Sequence, residues 1–278
     1  MVWDHGPTGR TVLTLSTPTT FAAKGAVHAF AALGRPLAPD VPHVIWAHGW
    51  GQDHHAFLAL ARSLERAAHH TLLDFPGFGQ SPAPPQKADG SAWGTADYAD
   101  AVADWLASLP RGRRIWVGHS FGGRVGLRLA VRHPAAVDAM VLVGSHGLRP
   151  RRSLVARARI FLRVRMFKTL RLLEKFGVDV SARKAKYGSA DYRSAGSMRP
   201  VFVKVVSEDQ TEDVKAIRMP MVIIYGALDD QAPPDIGERL SKLIPGSSLS
   251  ILPGLDHYTV LTDGGPQVAH AVAKLLEP

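Results

Sequence analysis

Gly118-His119-Ser120-Phe121-Gly122 sets a serine between two glycines, each two positions away. A hydroxyl is a weak nucleophile near neutral pH. It attacks an acyl carbon when an imidazole takes its proton and a carboxylate holds that imidazole in the right tautomer. Both groups occur later in the chain, in the order serine, acid, histidine: Gly226-Ala227-Leu228-Asp229-Asp230 and Gly254-Leu255-Asp256-His257. The glycine spacing fits the G-x-S-x-G elbow, a tight strand-to-helix turn in which Cβ atoms two residues from the serine would clash. Asp229 and Asp230 are adjacent, so only one can face the histidine. The other is expected to be a solvated turn carboxylate or a helix cap.

Attack on a carbonyl also builds negative charge on its oxygen, which needs two backbone donors; losing one typically costs on the order of 10²–10³ in turnover. The amide of Phe121, just after the serine, is the first candidate. The second is the amide of Trp50 in the early loop His48-Gly49-Trp50-Gly51, with His48 expected to brace that loop.

These groups meet only if each follows a strand at the carboxyl edge of one parallel sheet. The apolar runs fit that demand. Strands are expected over 43–47, 71–74, 114–118, 137–144, 221–226 and 249–252, and helices over 56–68, 95–109, 124–132, 233–243 and 267–276. Thr95 is the expected N-cap of the second helix, and Pro82-Ala83-Pro84-Pro85 a surface loop. The alternation of short apolar runs with helical spacing is the rhythm of βα units, an α/β fold.

Composition agrees with one globular unit. The 278 residues are 46% hydrophobic and 21% charged, enough for a core without disulfides. With no cysteine, thiol catalysis, thiolate metal sites and disulfides are excluded. The first residues, Met1-Val2-Trp3-Asp4-His5-Gly6-Pro7, lack a secretory pattern, and no apolar run approaches the roughly 18 residues of a membrane span. A soluble, cytoplasmic protein is the expectation.

The net charge of +9 is uneven. Residues 149–204 hold 16 Lys or Arg against three acids, while the remainder holds 17 basic and 21 acidic residues. This stretch breaks the βα rhythm and contains helical runs such as 154–176, mixing large apolar residues with arginine.

His48-Gly49-Trp50-Gly51, Asp74-Phe75-Pro76-Gly77-Phe78-Gly79-Gln80-Ser81, the elbow with Gly123, Gly226-Ala227-Leu228-Asp229 and Gly254-Leu255-Asp256-His257 together resemble the α/β-hydrolase superfamily. The likeness covers about 43–146 and 219–276. It implies a mostly parallel eight-stranded sheet flanked by helices, with a helical cap inserted after the sixth strand. The core would be 1–147 and 207–278, and the basic cap 148–206. In that family the acid lies three residues after the strand-ending glycine, which selects Asp229 over Asp230.

Within the superfamily, haloalkane dehalogenases and epoxide hydrolases carry an aspartate where Ser120 stands, and proline iminopeptidases carry His-Gly-Gly-Pro-Gly at the early loop. The chain therefore resembles the serine-nucleophile, esterase- and lipase-like branch. That likeness implies hydrolysis of a small-molecule carboxylic ester or thioester through Ser120, Asp229 and His257, with Trp50 and Phe121 as oxyanion donors. Three alternatives stay open: a C–C bond hydrolase of ring-cleavage products, a ligand-binding protein on the same scaffold, and an esterase of carrier-linked acyl groups. The third rests on the likeness of the Trp50 loop to that of pimeloyl-carrier methyl ester esterases, whose basic cap binds an acidic carrier protein. No metal or organic cofactor is implied. The basic stretch could be a solvated face, or could touch an anionic membrane or an acidic carrier; nucleic-acid binding is not expected, since no recognised module is present.

Overall fold

Alternate residues of the central strands are apolar on both sides, so these strands can exist only between two helical layers. A computed structural model describes residue 16 and residues 19–149, 161–162, 165–166, 169, 172, 174, 176 and 190–277. Its strands are β1 (Thr19–Ala23), β2 (Ala26–Gly34), β3 (His43–Ala47), β4 (His69–Asp74), β5 (Arg114–His119), β6 (Ala139–Val143), β7 (Met221–Gly226) and β8 (Ser247–Leu252). They form one eight-stranded sheet in the order β1-β2-β4-β3-β5-β6-β7-β8. The pairs β1–β2 and β2–β4 are antiparallel and all others parallel.

Ile45, Leu73, Trp116 and Leu142 face one layer, with Tyr98 and Trp105 of α2 (Thr95–Ala107), Leu127 of α3 (Phe121–Arg132) and Leu240 of α6 (Pro234–Leu243). Their neighbours Val44, Leu72, Ile115 and Val141 face the other, with Leu60 of α1 (Leu58–Ser63) and Val268 and Val272 of α8 (Gly265–Leu276). Parallel pairing sends the carboxyl ends of β3, β4, β5, β6, β7 and β8 to one edge.

Several expected elements differ in extent. The hairpin β1–β2 precedes the first strand read from the sequence, and turns through Lys24 and Gly25, both at positive φ (51° and 75°). The helix expected over 56–68 is a 3₁₀ turn (His54–Phe57) followed by α1, which stops at Ser63. Thr95 is the first residue of α2 rather than its cap: the Gly94 amide donates to Asp97 Oδ2 at 2.8 Å, and the Thr95 hydroxyl donates to Glu208.

Much of the basic stretch, including residues 150–160 and 177–189 and about half of 161–176, lies outside the described residues. Its described end forms α4 (Ala190–Ser194) and α5 (Arg199–Ser207), before β7. Among the described residues no helix is long and apolar enough to cross a membrane.

The core buries several histidines. Burial pushes His28 and His70 down to about 4 and His119 down to about 3. For His70 the geometry agrees, since its Nδ1 accepts from the Trp46 indole at 3.0 Å and must keep its lone pair. Each ring binds a proton more readily in the unfolded chain, near 6.5, than in the fold. Their stabilising effect is therefore complete above about 6.5 and is lost as pH falls towards 4, by up to about 1.4 kcal/mol per pH unit for each group. Thermal melts at pH 7.5 and pH 5 should show a midpoint lower by at least about 5 °C at pH 5. A flat profile would contradict these burial states.

Candidate functional site

The turn out of β5 is tight. Ser120 sits at φ 48°, ψ −105°, a conformation side-chain-bearing residues rarely adopt, immediately before the first turn of α3. A Cβ on Gly118 would lie 2.6 Å from the Gly122 carbonyl oxygen, and one on Gly122 would run into the backbone of Ala47. Both glycines are thus required by close backbone approach. The Ser120 amide donates to the Val143 carbonyl at 3.0 Å, tying the turn to the end of β6.

Past β7, Asp229 is buried, while its neighbour Asp230 is exposed. Asp229 Oδ1 accepts from the amides of Gln231 (3.0 Å) and Ala232 (2.7 Å), which fixes the carboxylate. Its Oδ2 lies 2.7 Å from His257 Nδ1, and His257 is 4% exposed. Gly144, at φ 50° after β6, leaves room for this pair: a Cβ there would be 3.1 Å from Asp229 Oδ2 and 3.3 Å from His257 Nδ1.

The link from His257 back to the elbow runs through His119. The two rings lie 4.7 Å apart, and His119 Nε2 is 2.9 Å from the His257 carbonyl oxygen. On its other side His119 Nδ1 is 3.0 Å from Gln52 Oε1, which also accepts from the Gly49 amide at 2.8 Å. Burial, and then repulsion from His257, hold the His119 ring down at about 3. A neutral imidazole carries one N–H, so it can donate to only one of these two oxygens at a time.

The loop after β3 is held from both sides. His48 Nε2 accepts from the Phe75 amide at 3.0 Å, so its Nδ1–H points to the Gly49 carbonyl, 2.7 Å away. The His48 carbonyl in turn accepts from the Gly122 amide at 3.0 Å, fastening this loop to the elbow. Burial keeps His48 below the usual histidine range. The Trp50 ring meets Phe121 edge-on at 5.6 Å, and also Phe78 at 4.8 Å and Phe202 of α5 at 5.0 Å. The two residues expected to supply amides are therefore neighbours. The Phe121 amide opens α3, where donors have no partner within the helix.

The end of the inserted stretch closes over this edge. Tyr192 packs on Phe202 at 6.4 Å, and burial pushes the carboxyl of Asp191 up while the nearby His257 pulls it down. Asp53, His54 and His55 could bring ligand atoms within 4.8 Å of one another. In the structure Asp53 caps its own turn through the His55 amide, and His54 Nδ1 lies 3.0 Å from both oxygens of Asp74.

The structure thus joins Asp229 to His257 directly, and places the His257 loop against the residue before Ser120. Sequence spacing did not single out Gln52 or Gly144. A glycine following a strand near the expected acid was the only available signal for the latter, and it reads like any strand end.

The α/β hydrolase fold model matches residues 42–195, more than half of the chain. A pimeloyl-[acyl-carrier protein] methyl ester esterase of Vibrio vulnificus strain YJ016 is 26% identical over 241 residues, covering 80% of this chain and 89% of that protein. Among solved structures, a membrane phospholipase A aligns with a TM-score of 0.71 at 22% identity, over 95% of this chain and 87% of that one. The enol-lactonase from Burkholderia xenovorans LB400 aligns at 0.67 with 19% identity, over 94% and 100%. The family match, carried on the mostly parallel eight-stranded sheet that the α/β-hydrolase likeness implied, establishes that this chain belongs to the α/β hydrolase fold family.

Proposed function

We propose that the chain hydrolyses carboxylic esters through an acyl-enzyme on Ser120. The observation that carries this reading is the buried 2.7 Å contact between His257 Nδ1 and Asp229 Oδ2, beside an elbow that holds Ser120 at positive φ. The Asp229 carboxylate keeps the proton of His257 on Nδ1, leaving the lone pair of Nε2 for the Ser120 hydroxyl. As the serine oxygen attacks the ester carbon, His257 takes its proton, and the carbonyl oxygen accepts from the amides of Phe121 and Trp50. Collapse of the intermediate expels the alcohol, which His257 protonates. Water, giving a proton to His257, then attacks the acyl carbon, and collapse breaks the bond to Ser120, releasing the carboxylic acid as His257 returns the proton to the serine oxygen.

Relatives named for methyl ester hydrolysis on an acyl carrier support an acyl ester as substrate, and the 16 basic residues of 149–204 favour an acidic carrier as a second reading. A fluorophosphonate probe together with a panel of p-nitrophenyl esters from short to long acyl chains tests the main reading. Labelling of the wild type, none of Ser120→Ala, and ester turnover are expected. A folded protein that takes up no label, or one that cleaves ring-cleavage diketones and no ester, would overturn it.

His119 acts here as a positioning residue, because it touches the His257 backbone and the Gln52–Gly49 loop together. His119→Ala should lower kcat about tenfold with KM little changed, since the ring is buried behind the reacting atoms. His119→Gln, which keeps a donor, should recover part of that loss. A change confined to KM or to melting temperature would remove His119 from this role.

A further inference from the structure

Five large apolar side chains stand exposed in one short stretch of the basic insert: Phe161 (57%), Leu162 (63%), Met166 (56%), Leu172 (56%) and Phe176 (77%). Every described residue from 161 to 174 is helical. The Thr169 hydroxyl donates to the Arg165 carbonyl one turn back at 3.1 Å, and the Arg165 guanidinium lies 5.5 Å over the Phe161 ring. At about 100° per residue, the four helical positions Phe161, Leu162, Met166 and Leu172 fall within an arc of about 140°, and Phe176 follows at a turn. Single exposed apolar residues are ordinary, but a contiguous row of them on one helix face is not. The sequence of this stretch is cationic, with five Lys or Arg against Glu174 alone between 161 and 176.

We propose that this face docks on an anionic phospholipid surface. Charge alone would suit any acidic partner, but two phenylalanines, two leucines and a methionine exposed in one stretch ask for an apolar medium behind the charge. A bilayer interface offers both: anionic headgroups for the basic residues, and acyl chains for the arc. Its position is suited to this. The insert leaves the sheet at the carboxyl end of β6, the edge at which Asp229 and His257 follow β7 and β8. Leu228 (65% exposed) and Tyr258 (51%), the sequence neighbours of those two residues, present further apolar surface there. Membrane docking needs no catalysis, so it stands or falls apart from the ester reading.

Co-sedimentation of the full chain with sucrose-loaded vesicles tests it, using pure phosphatidylcholine and phosphatidylcholine with about one-third phosphatidylglycerol. Partitioning onto the anionic vesicles should exceed that onto the neutral ones at least about tenfold, and weaken as salt is raised. Leu162→Asp combined with Met166→Asp should reduce it about tenfold at unchanged melting temperature, while Ser120→Ala binds like the wild type. Equal partitioning onto the two vesicle types, none onto either, or equal binding by the double variant would overturn the proposal. So would a dimer that leaves vesicles untouched, which assigns the face to a second copy. Association with soluble polyglutamate but not with vesicles would assign it to an acidic chain and overturn it equally.

Discussion

Ser120→Ala should lower kcat towards esters by a factor on the order of 10⁵–10⁶, the loss seen when the nucleophile of such a unit is removed. Binding of a non-hydrolysable substrate analogue should be little changed, because the side chain loses one oxygen while the elbow keeps its glycines and its link to Val143. The companion variant Ser120→Gly separates chemistry from strain. At φ 48° and ψ −105° any residue with a Cβ is strained, and alanine inherits that strain in full. Glycine relieves it at the cost of a more flexible unfolded chain, a net gain of about 1 kcal/mol, or about 2–4 °C in melting temperature. Both variants should be equally inactive, with only glycine melting higher. Residual ester turnover near the wild-type level in either would move the nucleophile elsewhere. A glycine variant that melts lower would mean the turn is held by something other than its glycines.

The parts of the site legible in the sequence are those that local chemistry dictates. Ser120 is marked by two glycines that backbone approach demands, and Asp229 and His257 each follow an apolar run long enough to be a strand. The parts that were not legible depend on distant segments meeting. Gln52 matters because its side chain reaches the Gly49 amide and His119, which lies in another strand. Gly144 matters because two side chains from later loops fill the space beside it. In the fold the same division holds. The buried parallel strands read clearly from their apolar runs. The β1–β2 hairpin did not, because its turn uses Lys24 at positive φ, where the usual signal is asparagine or glycine. Thr95 has the chemistry of a cap, yet a partner far along the chain, Glu208, claims its hydroxyl and leaves the capping to Asp97. Local propensity proposes such a cap, and tertiary contact decides it.

Asp229→Asn should reduce kcat about 10⁴-fold near neutral pH while leaving the fold intact. The direction follows from what holds the carboxylate. Oδ1 accepts from the amides of Gln231 and Ala232, so an asparagine must turn its own oxygen to that side to satisfy both donors. Its NH₂ group then faces His257 Nδ1, 2.7 Å from the replaced Oδ2. A neutral His257 has to accept there, which moves its proton to Nε2 and leaves no lone pair for the serine hydroxyl. The imidazole stays in place in the wrong tautomer. Asp230→Asn is the matching control: that carboxylate is exposed, and its loss should change kcat by less than about twofold. Raising the pH should not rescue Asp229→Asn, because the defect is the position of a proton on a neutral ring. Steady-state kinetics of the two variants from pH 6 to 9 would decide the matter. Comparable losses in both, or a recovery of Asp229→Asn at high pH, would show that the aspartate acts through general electrostatics and not by fixing the tautomer of His257.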